Sequence, residues 1–234
     1  SFRRIFLNYH VTNIEFFMNQ NKWPADITFS YIAAGTKIRR LGSLAFHLLS
    51  LQTDAMEITT LEEPGGTGNT FNLLNQSLGL TFSRNLTDQV AFGVTLKQIK
   101  EGYLDYTYST IATDIGTQYY TNYKDFKLGL VIQNFSPEVR FSGSYIDYSD
   151  DESYADSLNG KKEFETYSLP MNFRIGTSMR LFSSSLSSVI MATDMIHSNN
   201  NLEDINLGIE YNFKDKYFLR TGYKTQADIS GVTF

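Results

Sequence analysis

From Tyr167 to Leu181 the chain alternates with a period of two. Tyr167, Leu169, Met171, Phe173, Ile175, Thr177, Met179 and Leu181 share one parity, and Ser168, Pro170, Asn172, Arg174, Gly176, Ser178 and Arg180 share the other. Successive side chains of a strand point to opposite faces, so this stretch predicts a strand with one apolar face and one polar, cationic face. It exceeds the usual five or six residues (about) of a strand in a soluble protein. A tilted strand of about ten residues, oily outside and charged inside, suits a membrane-spanning barrel.

The same alternation recurs along the chain. RRIFLNYH and NIEFFMN within Ser1 to Asn21 predict one or two strands, and Trp23-Pro24 interrupts pairing because proline has no N–H to donate. Ala25 to Gly35 sets Ile27, Phe29 and Tyr31 against Asp26, Thr28 and Ser30. After a basic turn over Thr36 to Gly42, a strand runs from Ser43 to about Leu51. Further strands are predicted over Phe71 to Ser83, Gln89 to Lys100, Thr110 to Tyr120 and Phe126 to Asn134, this last bent at Ser136-Pro137 and resuming through Ser144. Beyond the Tyr167 stretch come Ser188 to Ile196, Asp204 to Phe213 and Tyr217 to Lys224. Connections alternate between short (near Arg84, Asn122, Ser184 and Lys214) and longer (near Pro64, Tyr106, Asp151 and Asn200), as short periplasmic turns and long outer loops of a barrel do. The pattern yields ten clear strands and two more at the margins, with no amphipathic helix of three turns.

Mid-strand charges keep to one parity. A charge at mid-membrane on the lipid side costs about 2–4 kcal/mol for Lys or Arg, so that parity is assigned to a lumen. The lumen-facing set is Lys97, Asp114, Gln118, Lys127, Gln133, Asn172, Arg174, Arg180, Asp204, Glu210, Arg220 and Lys224. Such charges most simply solvate and cross-brace an interior, since buried charges need partners. Pro137 is the candidate strand kink. The competing fold is a large soluble sandwich with its apolar faces turned inward; strand length, aromatic strand ends and the alternation of loops favour the membrane.

Composition changes this picture little. The 234 residues include 18 Phe and 15 Tyr, residues suited to membrane interfaces. Mean hydropathy is -0.26, and no window nears the roughly twenty apolar residues of a spanning helix. A barrel hides its hydrophobicity by alternation. The net charge of -5 and scattered Lys and Arg argue against a nucleic-acid partner. No cysteine is present, which removes disulfides and thiolate metal sites. Ser1 opens no signal peptide, as expected of a mature or truncated chain.

Candidate chemistry is sparse. The glycines of EEPGGTGNT lack the Lys-Ser/Thr ending and following helix of a phosphate loop. Asp150, Asp151, Glu152 and Asp156 cluster oxygens but match no calcium loop, and read as a solvated acidic connection. His10, His47 and His197 share no ligand spacing. Asp194 with His197 hints at acid–base chemistry but no serine nucleophile stands in a recognisable context. No enzyme activity, cofactor or metal is therefore expected.

The runs Met56 to Phe71, Ser77 to Glu101, Ala112 to Tyr120 and Leu128 to Gly143 resemble the PorV/PorQ family, outer-membrane barrels similar to the FadL long-chain fatty-acid transporters and associated with the type IX secretion system of Gram-negative bacteria. The resemblance spans roughly Asn13 to Lys224, with Thr-Gly-x-Thr-Phe and Asn-Phe-Ser-Pro its most specific pieces. It implies an all-β, up-and-down antiparallel transmembrane barrel of about fourteen strands in the full protein, of which residues 1–234 supply ten to twelve as one domain, incomplete at its termini or loops. It also implies a non-enzymatic subunit in the outer membrane whose partners are lipid, a large translocon subunit and secreted cargo with its C-terminal signal domain. The alternative is a FadL-like transporter of hydrophobic small molecules.

Overall fold

A computed structural model describes residues 14–24, 26–146, 161–199, 203–225 and 232–233. The strands in chain order are β1 (Ile14–Trp23), β2 (Ile27–Ile38), β3 (Gly42–Thr53), β4 (Met56–Glu57), β5 (Thr70–Phe71), β6 (Leu73–Asn85), β7 (Val90–Tyr103), β8 (Tyr106–Tyr120), β9 (Lys127–Phe135), β10 (Ser144–Ile146), β11 (Lys161–Glu163), β12 (Asn172–Ser183), β13 (Ser187–Ser198), β14 (Asp204–Phe213), β15 (Tyr217–Lys224) and β16 (Val232–Thr233). Twelve of them form one antiparallel sheet in chain order, interrupted only where the small hairpins β4–β5 and β10–β11 branch off. The fold is thus all-β and up-and-down, with no helix among the described residues. Within those residues β1 pairs only with β2, and β16 only with β15.

The pairing registers place the whole sheet on two faces. Lys97 lies opposite Ala112 and Thr95 opposite Asp114; Arg174 lies opposite Val131 and Ile196; Glu210 lies opposite Arg220. Every one of these residues belongs to a single polar face. The other face carries Leu78, Leu80, Leu96, Ile111, Ile132, Leu207 and Ile209, all exposed. This inverts the arrangement of a water-soluble sheet, because the side chains most averse to water have no protein over them. On β7 the apolar run extends from Val90 to Leu96 and on β14 from Ile205 to Phe213, on the order of 25 Å of strand at about 3.3 Å per residue.

The small core lies on the polar face. Ile99, Tyr108 and Ala112 from β7 and β8 are buried with Val139 and Leu169, with Phe141 packed against them. The last three belong to the excursion between β9 and β12, which folds back across that face. It is held by a lone bridge between Val139 and Tyr167 and by hydrogen bonds from the Ser142 amide to the Thr107 carbonyl and from the Asn199 amide to the Met171 carbonyl.

Several expectations are corrected. The strand at Tyr167 begins at Asn172, because Pro170 cannot donate to a ladder; Tyr167, Leu169 and Met171 belong to the excursion, and Leu169 is buried rather than facing outward. Pro137 kinks no strand, since β9 ends at Phe135 and the ladder does not resume until the short β10. The expected loop over Glu101 to Ser109 is a tight hairpin in which Tyr103 pairs with Tyr106. In β2 the parity is the reverse of that expected: Ile27, Phe29 and Tyr31 share the polar face, where Tyr31 stacks on His47 and Phe29 on Trp23. The single charge in that strand, Lys37, stands next to its end and no charge marks the faces from Ile27 to Thr36, so ring size misleads. The segment RRIFLNYH and the acidic cluster Asp150, Asp151, Glu152 and Asp156 lie outside the described residues.

Two glycines are fixed by geometry. A Cβ on Gly79 would stand 2.2 Å from the His47 ring, which lies across it, and Gly42 turns with φ 143 at the start of β3. By contrast Leu104 holds φ 53 in the two-residue β7–β8 turn, a left-handed conformation that costs a non-glycine residue about 1–2 kcal/mol. Leu104→Gly is expected to stabilise the chain by roughly 1 kcal/mol, read as a higher urea midpoint with an unchanged slope.

Candidate functional site

Charge on the polar face is gathered into cross-strand pairs. The best buried begins at Lys97, at the middle of β7. Its Nζ lies 2.7 Å from Asp114 Oδ1 on β8, with side chains 11% and 19% exposed, and donates to Asn134 Oδ1 at 2.6 Å. Asn134 sits at a break in the β8–β9 register with φ 61. Asparagine tolerates that conformation better than most residues. Its amide donates to Asp114 Oδ1 at 2.8 Å, and its Nδ2 donates to the Pro170 carbonyl at 2.8 Å. One part-buried cluster therefore ties three strands to the excursion above them.

The remaining pairs are more open. Arg174 meets Asp194 at 2.6 Å between β12 and β13, and Arg220 meets Glu210 at 2.6 Å and Lys224 meets Asp204 at 3.1 Å between β14 and β15. Arg180 reaches Asp125 in the β8–β9 turn at 2.8 Å. Gln118 accepts from the Tyr120 hydroxyl, Lys127 lies over the Tyr120 ring, and Gln133 faces Asn172 across the β9–β12 ladder. All twelve residues singled out in the sequence thus lie on one face, and eight of them belong to five ion pairs: Lys97, Asp114, Arg174, Arg180, Asp204, Glu210, Arg220 and Lys224.

Sequence reasoning missed Asp125 and Asn134 altogether, and Asp194 as the partner of Arg174. Asp194 shared the signal available to the others, since its parity within β13 places it opposite Gly176. Asn134 carried no such signal, because the register break decides where it points. The suggestion of chemistry between Asp194 and His197 is not met: three residues apart on a strand they face opposite ways, Asp194 toward Arg174 and His197 toward Glu203 at 3.1 Å.

Above the Lys97 cluster the excursion builds an aromatic cap. Phe141 packs edge-on against Tyr108 at 5.1 Å, Phe164 against Tyr106 at 4.8 Å, and Tyr167 against Tyr108 at 5.9 Å. The Tyr108 hydroxyl is buried without a hydrogen-bond partner among the described residues. Partial burial raises the Tyr167 hydroxyl above the ordinary tyrosine value. Among the described residues no three His, Cys, Asp or Glu side chains converge as metal ligands. No family model matches this chain. No curated protein matches it either.

Removing one member of a buried pair leaves the other charge unpaired, at a cost of about 3–5 kcal/mol. Lys97→Met is expected to lower stability by roughly 3 kcal/mol, and the double variant Lys97→Met/Asp114→Leu to recover most of that loss. Urea unfolding in detergent micelles checks both.

Proposed function

We propose that this chain forms a transmembrane β-barrel of the outer membrane and serves as a non-enzymatic subunit of a type IX secretion machine, in the manner of PorV-like proteins. The observation that carries the membrane part is the exposed apolar face running across the sheet, with the mid-strand charged side chains on the other face; Lys22, Arg84 and Lys100 share the apolar parity only near strand ends. In a barrel that second face becomes the lumen, and the ion pairs brace its wall. The edges left by β1 and β16 would then be satisfied by closure, because a hydrocarbon solvent tolerates no unpaired ladder.

The secretion role rests on the resemblance in the sequence. It agrees with a polar face crossed by ion pairs and covered at one end by the excursion, which suits a scaffold that binds proteins at its rim better than an open conduit. Large translocon subunits and secreted cargo are the partners of this reading. The alternative, transport of a hydrophobic small molecule in the FadL manner, has one observation in its favour: on β1 to β3 the polar face carries Phe17, Trp23, Phe29 and Tyr31, a ring-lined stretch.

Two measurements test the reading. Extracted in detergent, the protein is expected to migrate faster on a gel before boiling than after; a water-soluble chain whose mobility ignores heating contradicts the barrel. A pull-down from the same extract is expected to recover a very large membrane protein, whereas a barrel isolated alone with lipid in its lumen contradicts the secretion role and supports the transporter.

A further inference from the structure

The two ends of the sheet differ in charge. At one end lie five turns of three to six residues, β2–β3, β6–β7, β8–β9, β12–β13 and β14–β15, while the two-residue β7–β8 turn and the β1–β2 turn lie at the other end. Counting each turn with three strand residues on either side, this rim holds eight Lys or Arg against three Asp or Glu. The six connections at the opposite end, counted in the same way over the described residues, hold six Lys or Arg against twelve Asp or Glu. The chain as a whole is acidic, with a net charge of -5, so a basic rim is not a reflection of composition.

Each short turn also presents an apolar side chain to solvent. Leu41, Leu86, Tyr123, Leu186 and Tyr217 are 58%, 62%, 69%, 53% and 69% exposed. Basic residues stand beside four of them: Arg39 and Arg40 precede Leu41, Arg84 precedes Leu86, Lys124 follows Tyr123, and Lys216 precedes Tyr217, whereas Leu186 stands among serines. All five of these basic residues are exposed, and Lys124 and Lys214 lie at 5.7 Å and 5.3 Å from the centroids of the neighbouring rings, Tyr123 and Phe213. Of the three acids at this rim, Asp125 is already engaged by Arg180. Apolar tips with cations beside most of them are what a surface resting in the headgroup layer requires. The tips enter the acyl boundary, and the long basic side chains reach the phosphates while their stems stay in apolar surroundings.

We propose that the short-turn rim is an interfacial collar that docks on anionic phospholipid headgroups. The inference rests on the membrane-spanning reading and adds which lipid that end of the chain selects. Each positive charge held near an anionic surface favours binding by on the order of fivefold, and salt screens the effect. The acidic connections at the other end repel the same headgroups, so the collar also orients the chain.

Electron spin resonance of spin-labelled phosphatidylglycerol and phosphatidylcholine, in bilayers holding the full chain, tests the collar directly. Phosphatidylglycerol is expected to be retained at the protein several-fold over phosphatidylcholine. That preference is expected to vanish in 1 M salt (roughly a 3 Å screening length) and to fall in the variant Arg39→Gln/Arg40→Gln/Lys216→Gln. Equal retention of the two lipids, or a preference that survives in the variant, overturns the collar while leaving the spanning sheet intact. Absence of any motionally restricted lipid overturns the membrane-spanning reading itself, and the collar with it.

Discussion

An apolar sheet face without cover governs this molecule. Burial of apolar surface is the largest favourable contribution to most folds, yet here Leu80, Leu96, Ile111, Leu207 and Ile209 stand uncovered on one continuous face. A second layer of protein would satisfy them, as in a sandwich, but the excursion between β9 and β12 packs on the opposite, polar face. The described chain thus spends its only covering segment where the charges are. In the proposed reading an apolar solvent would supply the missing layer, and strands that satisfy their backbone groups through neighbours are one of the two structures such a solvent accepts.

The polar face follows from the same constraint. Charges removed from the apolar side have to be held on the other, where they are partly desolvated and need partners. Hence the diagonal pairing of Arg174 with Asp194, the directly opposed pair Arg220 and Glu210, and the deeper cluster of Lys97, Asp114 and Asn134. Through the Pro170 carbonyl that cluster also anchors the excursion, so the electrostatics of the polar face and the segment that covers part of it are a single piece of structure. The cationic turns and acidic connections extend the division from the two faces to the two ends.

Much of this was legible in the chain. Period-two alternation located β6 to β9 and β12 to β15, and the parity of Lys97, Lys127, Arg174 and Glu210 assigned their faces correctly, because a charge within a strand marks its side. Where no charge stood, as from Ile27 to Gly35, the faces were read in reverse. The hairpin at Leu104 was hidden because its tyrosines and acids have the composition of a loop, although tyrosine also favours strands. Asn134 and the covering role of Leu169 were hidden for a different reason: one depends on a register break and the other on a long-range fold-back, and neither leaves a local pattern.

The sequence contains no cysteine, so single cysteines can report on each face without background. In bilayers containing brominated lipid, a fluorophore at Leu207→Cys or Ile209→Cys is expected to be strongly quenched. At Asn206→Cys or Gly208→Cys it is expected to be spared and open to water-soluble reagents. Quenching that alternates with a period of two along β14 is the result the uncovered apolar face predicts. Equal quenching at all four positions, or none at Leu207 and Ile209, would contradict it.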